Sequence, residues 1–238
     1  MKNMKKSVKI LLTAASLVMC VGLLFSVALS CVYNKAHMTT AFQTYAHPQG
    51  HDEIMVADYE TIAGQIVQYL STGKAENLPA LRGEKVFSDR ENAHLADCSR
   101  LTRGMGYVRL AAIALLAAVM GWVLLEKDVG RRKQKSDALF QAFSWAAGVL
   151  MAGILAVTVW GLVNFNGLFV TFHRVCFNNN LWLMDPAQDL LIQMMPLPFF
   201  TDYALYLLKT MAPMLLLLAA LPVAGIVFYR KNRKAEQA

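Results

Sequence analysis

Thr171–Phe200 reads TFHRVCFNNNLWLMDPAQDLLIQMMPLPFF and lies between two long apolar runs, yet it is too polar to cross a membrane itself. It carries His173, an asparagine run at 178–180, the pair Asp185-Pro186 and a Pro-Leu-Pro-Phe-Phe ending. Asp185 is suited to cap a helix, Pro186 to its first position, and Gln188 to complete a capping box. That short helix should stop before Pro196, because a residue preceding proline avoids the helical region. Its face of Leu190, Leu191 and Met194 suits a headgroup boundary, with Trp182, Phe199 and Phe200 as interfacial anchors. The stretch reads as a lid on the outer leaflet.

On either side the chain is lipid-like. Ala142–Val163 precedes it and Met211–Phe228 follows, the latter with Pro213 and Pro222, which membrane helices tolerate. Leu110–Leu125, extended by Tyr107 and Val108, makes another span, with Arg109 near its end either snorkelling or turned into a polar site. Ile10–Val32 is long enough to cross a bilayer and longer than a signal-peptide core, although Ala28-Leu29-Ser30-Cys31 approximates a lipoprotein cleavage box. We read it as an uncleaved span. Of the 238 residues 56% are hydrophobic and 16% charged, against about 25% charged in ordinary soluble domains.

The expected fold is an all-α membrane protein. Four transmembrane helices are joined by loops, the first and third of which build a helical extracytoplasmic region. The segments are 1–33 (N-terminus and first span), 34–106 (outer loop domain), 107–125 (second span), 126–141 (basic loop), 142–166 (third span), 167–203 (motif loop), 204–229 (fourth span) and 230–238 (tail). The surplus of +7 would suit nucleic acid, but its distribution points to a membrane instead, and no nucleic-acid partner is expected. The N-terminus, the 126–139 connection and the C-terminus hold 13 of the 23 Lys and Arg, whereas 167–202 holds only Arg174. The positive-inside rule therefore puts both termini in the cytoplasm and both larger loops outside. His94 and His173 then share a compartment.

Within the outer loop domain, residues 34–55 show no periodicity and read as loop. Tyr59–Leu70 sets Ile62, Ile66, Val67 and Leu70 at helical spacing, ended by Gly73 and Pro79. Ser88-Asp89-Arg90-Glu91 reads as a capping box opening a helix with His94, Asp97, Cys98 and Leu101. His94 and Asp97, three apart, share a face, where a carboxylate orients an imidazole or both simply meet solvent.

Two histidines at a lipid–water boundary permit acid–base work near neutral pH. No GxSxG elbow or HExxH motif is present, so catalysis would use the substrate's own nucleophile and no cofactor. Three other readings stand beside this one. His94, Cys98, His173 and Cys176 would make a two-His, two-Cys metal set; Cys98 and Cys176 would make a disulfide; and the outer loops would grip a partner without catalysis. The His51-Asp52-Glu53 cluster is a poorer metal candidate, because adjacent side chains rarely converge on one ion.

Phe172-His173, Phe177, Asn179-Asn180, Trp182, Asp185-Pro186, Asp189, Leu191-Ile192, Pro196 and Phe199-Phe200 resemble the signature of a bacterial integral membrane family, the lipoprotein intramolecular transacylases. Phe87-Ser88, Arg90-Glu91, His94 and Asp97 resemble its other motif, with Leu95 where methionine is usual and Cys98 where valine is usual. The resemblance implies transfer of the sn-2 acyl chain of a diacylglyceryl-modified N-terminal cysteine to that cysteine's α-amine, giving a lyso-form lipoprotein. It implies His173 and His94 as catalytic residues, with Asp97, Arg90, Arg109, Asn180 and Asp185 in support. Trp182, Phe172, Phe199 and Phe200 would contact lipid. The implied partners are diacylglyceryl-modified lipoproteins and membrane phospholipids.

Overall fold

The computed structural model describes residues 5–235, without side chains at 221–222 and 225–235. Lys2 and the last three residues of the expected tail lie outside the described residues, as do the side chains of Pro222, Arg230, Lys231, Arg233 and Lys234. Among the described residues four helices are long and apolar enough to cross a membrane: α1 (Lys6–Val32), α4 (Asp89–Leu124), α5 (Val129–Val163) and α8 (Leu197–Ala235, apolar over Leu197–Ala220). The expected all-α, four-span plan is what forms. Shorter helices complete it: α2 (Lys35–Tyr45), α3 (Tyr59–Thr72), α6 (Phe165–Cys176) and α7 (Leu190–Met194). A hairpin of two-residue strands, β1 (Ala80–Leu81) and β2 (Glu84–Lys85), turns through Arg82 and Gly83 at positive φ.

The chain divides into two compact units. The first comprises Met1–Ser26, Tyr107–Val159 and Met211–Ala238 and consists of span segments. Small residues let its helices approach: a Cβ on Gly22 would collide with Ala112 of α4, so only glycine fits there. Cys20 packs with Ala146, Ala147 and Leu218, and Leu12 with Val119 and Ala142. Leu116, Leu155, Leu216 and Leu217 are exposed, as residues facing acyl chains must be.

The second unit comprises Val27–Gly106 and Trp160–Thr210. Its apolar core gathers Met38, Phe42, Ile62, Ile66, Phe87, Leu95, Leu190, Met194 and Phe199. The periodicity of α3 is realised, since Ile62, Ile66 and Leu70 are buried and Gly73 closes the helix at φ +66°. The last carbonyls of α3 are satisfied from α4. Ser99 Oγ donates to the Tyr69 carbonyl at 3.0 Å and Thr102 Oγ1 to that of Leu70 at 2.8 Å. The capping box forms as read: Ser88 N–H donates to Glu91 Oε2 at 2.8 Å, and Glu91 N–H to Ser88 Oγ at 3.3 Å.

Four expectations are corrected. Residues 35–45, read as loop, form α2: Asn34 Oδ1 accepts from the His37 N–H, and Met38, Ala41 and Phe42 bury one face among polar threonines. The basic connection is largely helical, because Asp128 Oδ1 accepts from the Arg131 N–H at 2.7 Å and starts α5 at Val129. Asp185 and Pro186 begin a turn rather than a helix. Asp185 Oδ1 accepts from the Ala187 N–H, the Asp185 N–H donates to Asp189 Oδ2 at 2.7 Å, and α7 starts only at Leu190. Finally, Leu197–Phe200 open α8 instead of ending a loop, with Pro198 in the first turn where its missing N–H costs nothing.

The lid itself is also revised. Leu190, Leu191, Met194 and Phe199 are nearly inaccessible, so the face assigned to headgroups belongs to the core of the second unit. Gln193 ties this segment down. Its carbonyl accepts from His47 N–H, its Oε1 from Gln49 N–H, and its Nε2 donates to the Pro186 carbonyl.

Candidate active site

His94 stands in the second turn of α4, directed there by the Ser88–Glu91 box, and His173 in the last turn of α6, which Asn164 opens by accepting from the Gly167 N–H. Both belong to the second unit, and their rings meet, with centroids 6.0 Å apart and planes inclined by 30°. Each residue is 7% exposed. Phe177 is shared between them, 5.2 Å from the His94 ring and 5.5 Å from that of His173. Phe169, Phe172 and Trp182 complete the aromatic surround of His173 at 4.2, 5.4 and 5.1 Å.

His173 Nδ1 lies 2.7 Å from the Phe169 carbonyl. A carbonyl only accepts, so Nδ1 carries the proton and Nε2 of the neutral ring keeps a lone pair. Burial lowers the His173 pKa, with the Phe169 carbonyl opposing the shift in part. His94 is pushed down to about 4, first by burial, then by the neighbouring His173, with Asp97 opposing. Both imidazoles are therefore neutral at neutral pH. His94 Nε2 is 3.5 Å from Cys98 Sγ, and its Nδ1 is buried without a hydrogen-bond partner.

Asp97 does not contact His94 by a hydrogen bond, as its position three residues on had suggested. Its Oδ2 accepts from Asn179 Nδ2 at 2.7 Å, and Oδ1 pairs with Arg100. Asn179 in turn accepts at its carbonyl from Trp182 Nε1, 2.9 Å away, which places the indole beside His173. Arg90 also serves the motif segment: its guanidinium donates to the Leu183 carbonyl at 2.5 Å and the Asn180 carbonyl at 3.4 Å, and lies 3.8 Å from Asp189. The Asn180 side chain is exposed, and Asp185 sits in its turn. Phe172 is exposed; Phe200 packs on Phe169; Phe199 stacks on Phe42 in the core. Arg109 falls in the first unit and both histidines in the second.

Glu91 was read only as half of a capping box. It is buried and also accepts from the Leu191 N–H at 2.5 Å, clamping α7 to the start of α4. No sequence pattern links residues 100 apart. All four cysteines are free thiols, so the Cys98–Cys176 disulfide is not formed. Among the described residues no three His, Cys, Asp or Glu side chains are placed to hold a metal ion, which removes the geometric support for a two-His, two-Cys centre.

Sequence comparison matches residues 8–200 to the family described as lipoprotein intramolecular transacylase Lit. The chain belongs to that family. Membership makes it an acyltransferase acting on lipoproteins, and its apolar helices make it a multi-pass membrane protein. Among solved structures, the membrane-integral Lit from Bacillus cereus aligns with a TM-score of 0.64 at 19% identity, over 98% of this chain and 99% of that one. A histidine-to-arginine variant of the Bacillus protein aligns at 0.64 and 21%, covering 95% of each chain. A histidine-to-alanine variant aligns at 0.63 and 20%, covering 94% and 96%. At these identities the likeness is one of fold. Curated protein sequences give no match.

Proposed function

We propose that this Lit-family transacylase moves the sn-2 acyl chain of an S-diacylglyceryl cysteine to the α-amino group of the same cysteine, with His173 as the proton carrier. The observation that carries this is the His94–His173 pair, two buried, neutral imidazoles 6.0 Å apart among Phe169, Phe177 and Trp182. The α-amine attacks the ester carbonyl, forming the C–N bond, while His173 Nε2 takes the N–H proton. The tetrahedral intermediate collapses by breaking the bond to the sn-2 glyceryl oxygen, and the His173 imidazolium returns its proton to that oxygen. One ring thus acts as base and then as acid. His94, held neutral, uses its unpartnered Nδ1 as a hydrogen-bond donor to the oxyanion, a part that a protonated ring is not needed for.

Donor and acceptor are one molecule, so folding the head group into a ring supplies much of the rate, on the order of 7–11 kcal/mol in the best intramolecular cases. Trp182 and Phe172 flank His173 and suit contact with the acyl chains. We place the recess on the outer face with both termini in the cytoplasm, following the distribution of Lys and Arg, and the exposed apolar span faces against phospholipid. His173→Ala should lower conversion by about 100-fold or more at equal expression. His94→Ala should lower it by about 10- to 100-fold, as loss of an oxyanion donor does. Full conversion by His173→Ala would remove the assignment.

A further inference from the structure

Cys98 has no part in the chemistry above, yet among the described residues it is the one side chain in hydrogen-bonding range of the His94 ring, with Sγ 3.5 Å from Nε2 across one turn of α4. The other ring nitrogen, Nδ1, is buried and has no partner. The ring therefore has one nitrogen committed to sulfur and one left without a partner. Which nitrogen bears the proton decides whether His94 offers a donor or a lone pair.

We infer that Cys98 is a positioning residue that fixes the tautomer of His94. Its thiol donates S–H to Nε2 and so holds the ring proton on Nδ1. An imidazole nitrogen accepts better than a thiol sulfur does, so S–H···N is favoured over N–H···S. Burial, reinforced by Asp97, pushes the Cys98 thiol up to about 12, so the proton stays on sulfur at neutral pH. The inference rests on the proposed role of His94 as a donor to the oxyanion and names the residue that makes it one. A free neutral histidine ring favours the proton on Nε2 instead, and among the described residues only Cys98 is placed to hold Nε2 as an acceptor.

Cys98→Val, Cys98→Ser and the parent protein, labelled with nitrogen-15 histidine and purified in detergent, test this by ring nitrogen chemical shifts, with the His94 signals assigned by their loss in His94→Gln. The parent and Cys98→Ser, whose hydroxyl also donates, should show His94 protonated at Nδ1. Cys98→Val should lose that bias and lower transacylation about tenfold, with Cys98→Ser restoring it to within about threefold, the usual scale for a residue that orients a reacting ring. Monodisperse elution of each variant establishes that it folds. Three results overturn the inference: His94 protonated at Nε2 in the parent, an unchanged tautomer in Cys98→Val, or a changed tautomer with an unchanged rate. The tautomer is read without turnover, so these results are separate from failure of the catalytic reading, which would show as full activity in His94→Ala.

Discussion

At the scale of single residues, the proposed roles of His173 and His94 rest on both rings being kept neutral. Burial lowers the His173 pKa, so its lone pair persists to a pH below the ordinary imidazole value of about 6.5. The ring-nitrogen titration of His173, followed by nitrogen-15 shifts, should therefore have its midpoint below that value. Trp182→Ala admits water beside the ring, which raises the pKa, and should move the midpoint upward toward 6.5. A midpoint that moved down would contradict the account. His94 adds a stability consequence. Its folded value of about 4 lies below the unfolded one, so the unfolded chain binds the proton more readily. Stability should fall as pH drops from about 6.5 toward 4, by up to roughly 3 kcal/mol, and His94→Gln should flatten that slope in thermal melts. Both histidines were visible in the sequence by residue type and compartment. The partners of Asp97, Glu91 and Cys98 were not. Asn179 lies 82 residues from Asp97, and Leu191 100 from Glu91, separations that no local spacing encodes.

At the scale of elements, the site is held by a few long-range ties. Glu91 joins the start of α4 to α7, and Asp97 joins it to the segment that carries Trp182. Glu91→Ala leaves the Ser88 and Leu191 N–H groups without acceptors and should cost about 1–3 kcal/mol each, read as a lower melting temperature in detergent. Asn179→Ala keeps the backbone carbonyl that receives the indole N–H but removes the side-chain tie to Asp97, so it should spare the fold and lower the rate by loosening the segment that holds Trp182 beside His173. Equal loss of melting temperature in both variants would show that the two ties are not distinct. Elements with strong periodicity, such as α3, were legible from sequence. Helix α2 was not, because Thr39, Thr40 and Thr44 mask an apolar face of only three buried residues. The Asp185 turn misled because Asp189, four residues on, closes it, whereas the capping-box pattern looks only to Gln188, three residues on.

At the scale of the whole molecule, hydropathy and charge were enough to recover the four spans, since lipid leaves the backbone few alternatives. They did not reveal where the helices begin, as α4 starts at Asp89 and α5 at Val129, well before their apolar runs, and α8 is already apolar from Leu197. The proposed orientation is open to direct test. A cysteine introduced at the exposed Val175 should react with a membrane-impermeant maleimide in intact cells, and one at Lys127 only after permeabilisation. The reverse pattern would turn the molecule over. The central claim is that acyl transfer is internal to one lipoprotein molecule, and its signature is a rearrangement without a change of mass. The decisive measurement is tandem mass spectrometry of N-terminal lipopeptides from cells lacking other lipoprotein N-acylation, with and without this protein. The account predicts an unchanged intact mass, with one acyl chain now retained on fragments containing the α-nitrogen. A free α-amine, or an intact mass increased by a whole acyl group, would contradict it.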